Sequence, residues 1–435
     1  MKRKTLKMKL AALAAATVLA VGMLAGCGGS DGGSNAGGND NAGGENAGEE
    51  NAGGGEDAAG GEENTGDQGG LTDTKGGKIL YMESRNSGPQ YLFNIAFLEN
   101  ACADLGYELQ VIYGDTQNDA QGNLDVVKNA YTSDVVGLIV CQDGGMENIM
   151  DEYPDLYVVA LNMDADSVFN EDGVYHALME NDHFLGAMGD TWISGEDSGK
   201  AYAEKVIEKG YKKVATMIFP PFAYPKHTVA DATFRAEIEK YNQTADEPIE
   251  IVGEAEVLMF SPLREDYFME PEHSDLDAIV GMCSGTTFIY PTVAATKANG
   301  TCPADLEIVT GGWEEDEDIF ADCGDGKTIS SITICTPDSM LYPIVMLDNA
   351  IQGLQFPDWD GPQRHDSGIL NMDSDADFAA IHDNSPIWNT QNVDLSKLST
   401  SWEDMKQCFL RWNPNATYAD LVKVSTDVSI DSYLK

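Results

Sequence analysis

The sequence predicts an α/β protein with two lobes of similar texture, each built on a parallel sheet. Three observations carry this reading. From residue 78 onward, short apolar runs alternate with helical segments of about 10–15 residues, the signature of βαβ units. One run, 135–141 (VVGLIVC), is apolar throughout, as expected of a strand covered on both faces. The alternation then starts afresh near residue 199 and runs to about residue 353.

In the first half, 78–83 (KILYME) reads as a strand. Helical spacing over 91–105 puts Phe93, Phe97, Ala101 and Leu105 on one face, and Gly106 follows as a C-cap. Strands at 108–113, 135–141 and 157–161 then flank a helix at 121–131. In the second half, helices are expected at 199–209, 230–241, 289–298 and 340–352, the first and last closed by Gly210 and Gly353. Strands are expected at 213–219, 249–253, 278–282, 307–310 and 330–334, with a longer irregular insert after 253. Right-handed crossovers join such units. Ligands of such sheets bind outside the carboxyl ends of the strands. The residues just after each strand are therefore the ones that matter for a site.

The N-terminus has the three parts of an export signal. Lys2, Arg3, Lys4, Lys7 and Lys9 precede an apolar, Ala-rich run at 10–24, which is short for the roughly 20 strongly apolar residues of a span. Leu24-Ala25-Gly26-Cys27 then suits a lipoprotein signal peptidase, with lipid on the Cys27 thiol. The expectation is a chain anchored on the extracytoplasmic face of the cell membrane, with 1–26 removed. Residues 27–77 are mostly Gly, Asn, Ala, Glu and Asp without apolar periodicity, the composition of an extended acidic tether.

The formal charge is −47 over 435 residues, and the basic leader is its main positive run. So acidic a surface argues against nucleic acid and against direct docking on anionic lipid. Beyond Cys27 there are seven cysteines, Cys102, Cys141, Cys283, Cys302, Cys323, Cys335 and Cys408, an odd number with no C-x-x-C spacing. No zinc site is expected. Cys102 and Cys141 read as small core residues, and Cys302 with Cys323 is the pair to test for a disulfide. Gly28-Gly29-Ser30-Asp31-Gly32 in the Gly-rich tether matches G-x-S-x-G through composition alone, and beyond the tether no G-x-S-x-G, H-E-x-x-H or calcium-loop spacing occurs, so neither an enzyme, a metal nor a cofactor is expected.

The order of elements, with several local signatures, resembles the type 1 periplasmic binding proteins, the sugar-binding family related to ribose-binding protein and to LacI-like sensor domains. The signatures are Leu105-Gly106-Tyr107, the strand 135–140, the run 209–215 (KGYKKVA), Thr233-Phe234-Arg235-Ala236, Asp277-Ala278-Ile279-Val280 and Thr336-Pro337-Asp338. The resemblance covers about 78–353 and implies two Rossmann-like lobes joined by a hinge: 78–164 with 336–360 as one lobe, 165–335 as the other, and 361–435 as an extension packing on both. Within that extension, Ser401-Trp402-Glu403-Asp404 has the pattern of a capped helix start.

The resemblance also implies a site. Ser84 would be a polar contact, Tyr91 an aromatic stacking on a sugar face, and Asp143 an acceptor for sugar hydroxyls; Asn162 follows the fourth strand. The family's Arg in the second lobe aligns with Ala230, which leaves His227 or Lys226 to substitute. The Asn-Asp pair of the family aligns with Cys283 and Ser284, its next Asp with Trp313, and a hinge-side Gln with Cys335 or Thr336. Several hydrogen-bonding groups are thus replaced and an indole is added, so an ordinary pentose is not expected, and an oligosaccharide, a glycoside, a nucleoside or a signalling molecule stays open. The function implied is that of a monomeric solute-binding lipoprotein. It would deliver a small polar solute, a sugar or glycoside, to an ABC permease in the membrane. The alternative is a sensor of the same fold that presents its ligand to a membrane kinase or chemoreceptor.

Overall fold

The computed structural model describes residues 74–83, 88–115, 118–163, 165–189, 195–221, 224–388, 390 and 392–434. The expected leader, Cys27, the tether up to residue 73, and the expected contact Ser84 lie outside the described residues.

The first lobe contains β1 (Gly77–Glu83), α1 (Pro89–Leu105), β2 (Tyr107–Tyr113), α2 (Ala120–Ala130), β3 (Val135–Val140), α3 (Met146–Glu152), β4 (Tyr157–Leu161) and β5 (Phe184–Met188). Local chemistry sets the helix ends. Asp119 accepts from the Gly122 amide at the start of α2, and Gly106 closes α1 at φ 84°. The second lobe contains α4 (Gly195–Lys209), β6 (Lys213–Ile218), α5 (Pro225–Asn242), β7 (Glu250–Ile251), β8 (Glu256–Val257), β9 (Ala278–Ser284), α6 (Tyr290–Asn299), β10 (Glu307–Gly311) and β11 (Ile329–Cys335). The chain then continues through α7 (Leu341–Gln352), β12 (Arg364–His365), β13 (Ile369–Met372), α8 (Asp375–Asn384) and α9 (Tyr418–Thr426).

The first sheet has the order β12-β5-β4-β3-β1-β2, all parallel. The second runs β13-β11-β10-β9-β6-β7, parallel except for the antiparallel edge strand β13, with β8 pairing β6. Period-two alternation sorts the side chains of β1: Leu80 and Met82 enter one apolar cluster, Ile79 and Tyr81 the other. The second of these clusters runs on through α7 into the C-terminal extension, where Phe409 and Leu421 belong to it.

Three sequence-based expectations need correction. The lobe boundary at 164/165 is too early, because β5 belongs to the first sheet. Its sequence, FLGAM, has little strand propensity, and it is a strand because β4 and β12 flank it. The Gly186 backbone is left-handed at φ 103°, and a Cβ there would meet the Gln363 carbonyl at 2.5 Å. The segment 361–435 does more than pack on the lobes, since β12 extends one sheet and β13 the other. The Cys302–Cys323 bridge is not formed: both thiols are free, with Cys302 Sγ 3.5 Å from the Pro303 carbonyl and Cys323 Sγ 3.3 Å from that of Ile319.

The extension is tied down by buried polar groups. Arg411, 4% exposed, donates through Nε to Asp348 Oδ2 at 2.9 Å and through Nη2 to Oδ1. Its Nη1 reaches the Leu105 carbonyl at 2.9 Å, and the Tyr107 hydroxyl donates to Asp348 Oδ1 at 2.7 Å. At the connection from β11 to α7, Asp338 is fully buried and accepts from the Thr400 amide at 3.0 Å. Ser401 caps the short helix Trp402–Met405 by accepting from the Asp404 amide, as its sequence pattern requires.

Two predictions follow from these anchors. Arg411→Ala leaves Asp348 buried and unpaired and is expected to cost about 3–5 kcal/mol in urea unfolding, most of which the double variant Arg411→Met/Asp348→Leu should restore. Burial pushes the Asp338 carboxyl up to about 7, against its hydrogen bonds from the Thr400 and Ser399 backbone, so folding favours the protonated form. Its contribution is intact below the ordinary Asp value of about 3.9 and is lost as pH rises through about 7. Unfolding free energies across that window should therefore fall less steeply for Asp338→Asn than for the wild type.

Candidate functional site

The carboxyl ends of the two sheets face one another across a cavity of about 650 Å³. The first lobe lines it with the start of α1 (Tyr91, Asn94) and with Cys141 and Asn162, which follow β3 and β4. The second lobe lines it with Tyr202 on α4, with Phe219 and His227 around the start of α5, and with Ser284, Trp313 and Glu314 beyond β9 and β10. The connection from β11 to α7 forms its floor at Cys335 and Thr336, and Ile387 of the extension completes the wall.

Each wall is set by local geometry. Asn162 adopts a left-handed backbone at φ 54°, and its side-chain nitrogen is buried without a hydrogen-bond partner. A strained residue carrying an unspent polar group is the kind of feature that clusters at ligand sites. Tyr91 is 6% exposed, and its hydroxyl pairs with that of Tyr113. One turn further on, Asn94 donates to the Tyr81 hydroxyl at 3.4 Å, and Tyr81 in turn donates to the buried Glu83. Gly312 is left-handed at φ 78°, and a Cβ there would lie 2.9 Å from Ser284 Oγ. Glycine takes up this left-handed turn without strain, and the turn brings Trp313 and Glu314 to the cavity.

Glu314 is the acidic group of the second-lobe wall. Its Oε1 accepts from Thr287 Oγ1 at 2.6 Å, and its other oxygen has no hydrogen-bond partner among the described residues. Burial raises its carboxyl above the usual Glu value, opposed by the Thr287 bond and reinforced by Asp316. His227 is partly committed: its ring stacks on Tyr224 at 5.1 Å and accepts from the Phe219 amide through Nδ1 at 3.3 Å. Phe219 packs in turn on Phe260 and Phe288, which makes one side of the second-lobe wall aromatic.

Tyr91, Asn162, His227, Ser284, Trp313 and Thr336 are thus brought together on one cavity, while Asp143 is not. Asp143 follows β3 as expected, but it accepts from Asn118 Nδ2 at 2.9 Å and from Ser167 Oγ at 2.6 Å. Each carboxylate oxygen thus holds a loop, and Asp143 lies outside the cavity lining, which corrects its placement at the site. Thr336 lines the floor, but its Oγ1 caps the turn at Asp338 and its amide donates to the Gly368 carbonyl at 2.7 Å. Asn94, Glu314 and Ile387 are wall residues the sequence reading missed. Asn94 lies one helical turn after Tyr91 and Glu314 directly after Trp313, so spacing was a usable signal for both. Nothing local marks Ile387. Among the described residues no group of three or more His, Cys, Asp or Glu is placed to hold a metal ion, and no helix is long and apolar enough to cross a membrane.

No family model matches the sequence, and no curated protein does. Solved structures do match. The substrate-binding protein of a sugar ABC transport system from Bordetella parapertussis 12822 aligns at a TM-score of 0.51 and 10% identity, over 72% of this chain and 92% of that one. An ABC transporter solute-binding protein from Bradyrhizobium sp. BTAi1 gives 0.49 at 12% identity, over 71% and 86%. GanP, a glucose-galactose binding protein from Geobacillus stearothermophilus, gives 0.48 at 15% identity, over 69% and 98%. At such identities the likeness is one of architecture, and it agrees with the two parallel sheets and the crevice between their carboxyl ends. The chain has the fold of the type 1 periplasmic binding proteins.

Proposed function

We propose that this chain is an extracytoplasmic solute-binding lipoprotein. It is anchored through Cys27, closes its lobes on a sugar or glycoside, and hands it to an ABC importer. The observation that carries this reading is the cavity of about 650 Å³, whose walls offer aromatic rings and hydrogen-bonding groups from both lobes. Its size is within the range of small-molecule sites. Rings such as Tyr91 and Trp313 suit the apolar face of a sugar, and Glu314 and Asn162 suit its hydroxyls. A solute touching both lobes favours the closed arrangement by its differential affinity for it. The substrate-binding protein of a sugar ABC transport system that shares this architecture supports the same reading. The basic, apolar and small-residue pattern before Cys27 supports the anchor.

The solute reading is tested by thermal melts of the chain without its leader. The panel is D-glucose, D-galactose, D-xylose, cellobiose, phenyl β-D-glucopyranoside, uridine and adenosine. A compound present at about 100 times its Kd adds about 2.7 kcal/mol of stability and raises the melting temperature accordingly. For the compound with the largest shift, Glu314→Gln is expected to weaken binding about tenfold, the scale of one charge-assisted hydrogen bond. Asp143→Ala should leave that affinity unchanged. A flat panel would count against a sugar or nucleoside cargo. The anchor is tested separately by growing cells that express the full chain with labelled palmitate. Label should appear on the wild type and be absent from Cys27→Ser.

A further inference from the structure

The loop after β10 carries two wall residues, Trp313 and Glu314, and its outer side is gripped by the C-terminal extension. Trp388 stacks on Trp313 with ring centroids 5.4 Å apart and planes at 25°. Its indole Nε1 donates to Glu317 Oε1 at 3.3 Å, an oxygen that His382 Nε2 also approaches at 3.3 Å. Phe320 packs on both, 5.1 Å from Trp388 and 4.2 Å from His382. Two residues beyond Trp388, Thr390 donates to Glu315 Oε2 through both its amide and its hydroxyl. Every acidic residue of the turn except Glu314 is spent away from the cavity: Glu315 on Thr390, Asp316 on capping Glu317–Phe320, and Glu317 on Trp388 and His382.

The space behind the turn is nearly full. The void between Trp313, Glu314, Phe320 and Trp388 measures only about 10 Å³, too small to let the indole of Trp313 fall back. The same short segment, Pro386–Trp388, also packs against α1 of the first lobe and puts Ile387 into the cavity wall. It therefore touches the ligand-facing elements of both lobes at once.

We propose that Trp388 is a positioning residue of the solute site. It holds the turn so that Trp313 and Glu314 meet the solute, and so selects a ring compound with an apolar face and hydroxyl donors. This rests on the solute-binding reading for the identity of the ligand, but not for the placement of the turn.

Hydrogen exchange of the free protein tests the placement without any ligand. Trp388→Ala is expected to speed exchange in the peptide 311–316 about three- to tenfold, the effect of losing one aromatic pair. Trp388→Phe, which keeps a ring, should stay near the wild type, and Thr390→Val should show the same direction of change more weakly. The peptide 405–412 around the Arg411 anchor should not change. Unchanged exchange at 311–316 in Trp388→Ala would overturn the proposal. So would an equal rise at 405–412, which would mean that the extension has simply come loose. Phenyl β-D-glucopyranoside, which offers both a ring polyol and an aryl face, serves as the binding probe in calorimetry. Trp388→Ala should raise its Kd about three- to tenfold and Trp388→Phe should recover it; equal Kd values for Trp388→Ala and wild type would overturn the proposal. If the wild type itself does not bind the probe, an aryl glucoside is not the cargo, and the exchange data alone decide the role of Trp388.

Discussion

A parallel sheet has no face it can leave to water. In the first sheet, Leu80, Leu138, Val140 and Val158 must be covered on one side, and Ile79, Tyr81, Ile139 and Val159 on the other. Helices α2 and α3 cover the first set. The second set needs α1, α7 and residues from the extension, because one continuous apolar cluster passes from Ile79 through Leu341 to Phe409 and Leu421. The fold cannot be closed by its βαβ units alone. Much of the rest follows from this demand for cover, including the position of the last seventy-odd residues, 361–435.

Covering the sheet with the extension brings polar groups into the interior, and the two buried carboxyls Asp348 and Asp338 are matched in different ways. Asp348 on α7 would be an unpaired buried charge without Arg411, whose guanidinium also satisfies the carbonyl that ends α1. Among the described residues Asp338 has no such cation. It relies on the Thr400 and Ser399 backbone, and its raised pKa is the consequence. These two carboxyls sit at either end of the connection from β11 through α7, close to where the chain passes between the lobes. The strength of the extension's hold and the geometry of the crossing are therefore set by the same groups.

That hold reaches the cleft. The parallel sheets place strand ends opposite one another, and those ends supply Cys141, Asn162, Ser284 and Trp313. The extension then fills in behind the turn that carries Trp313 and adds Ile387 to the wall. The cavity differs from a plain two-lobed crevice in having an indole backed by a second indole, with one carboxylate beside it. A half-buried carboxylate and ring faces together favour a neutral, hydroxylated ring over an anion.

Much of this was legible in the chain itself. Hydrophobic alternation, the left-handed glycines Gly106, Gly210 and Gly353, and the continuous strand Val135–Val140 depend on local chemistry, so the αβ repeat and the carboxyl-end location of the site could be read directly. Tyr91 and Trp313 were pointed to by the resemblance to the binding-protein family, Asn162 directly follows β4, and all three line the cavity. The outcome for Asp143 could not, since whether a loop carboxylate stays free depends on Asn118 and Ser167, which the fold alone brings beside it. β5, with a glycine at its centre, is a strand only through its neighbours, and β12 and β13 are too short to announce themselves. The apolar periods and caps of the sequence thus determined the class of fold and its elements. Which acidic groups are spent, where one lobe ends and the other begins, and that the C-terminal segment walls the cleft were decided by tertiary structure, because each rests on contacts between residues tens to hundreds of positions apart.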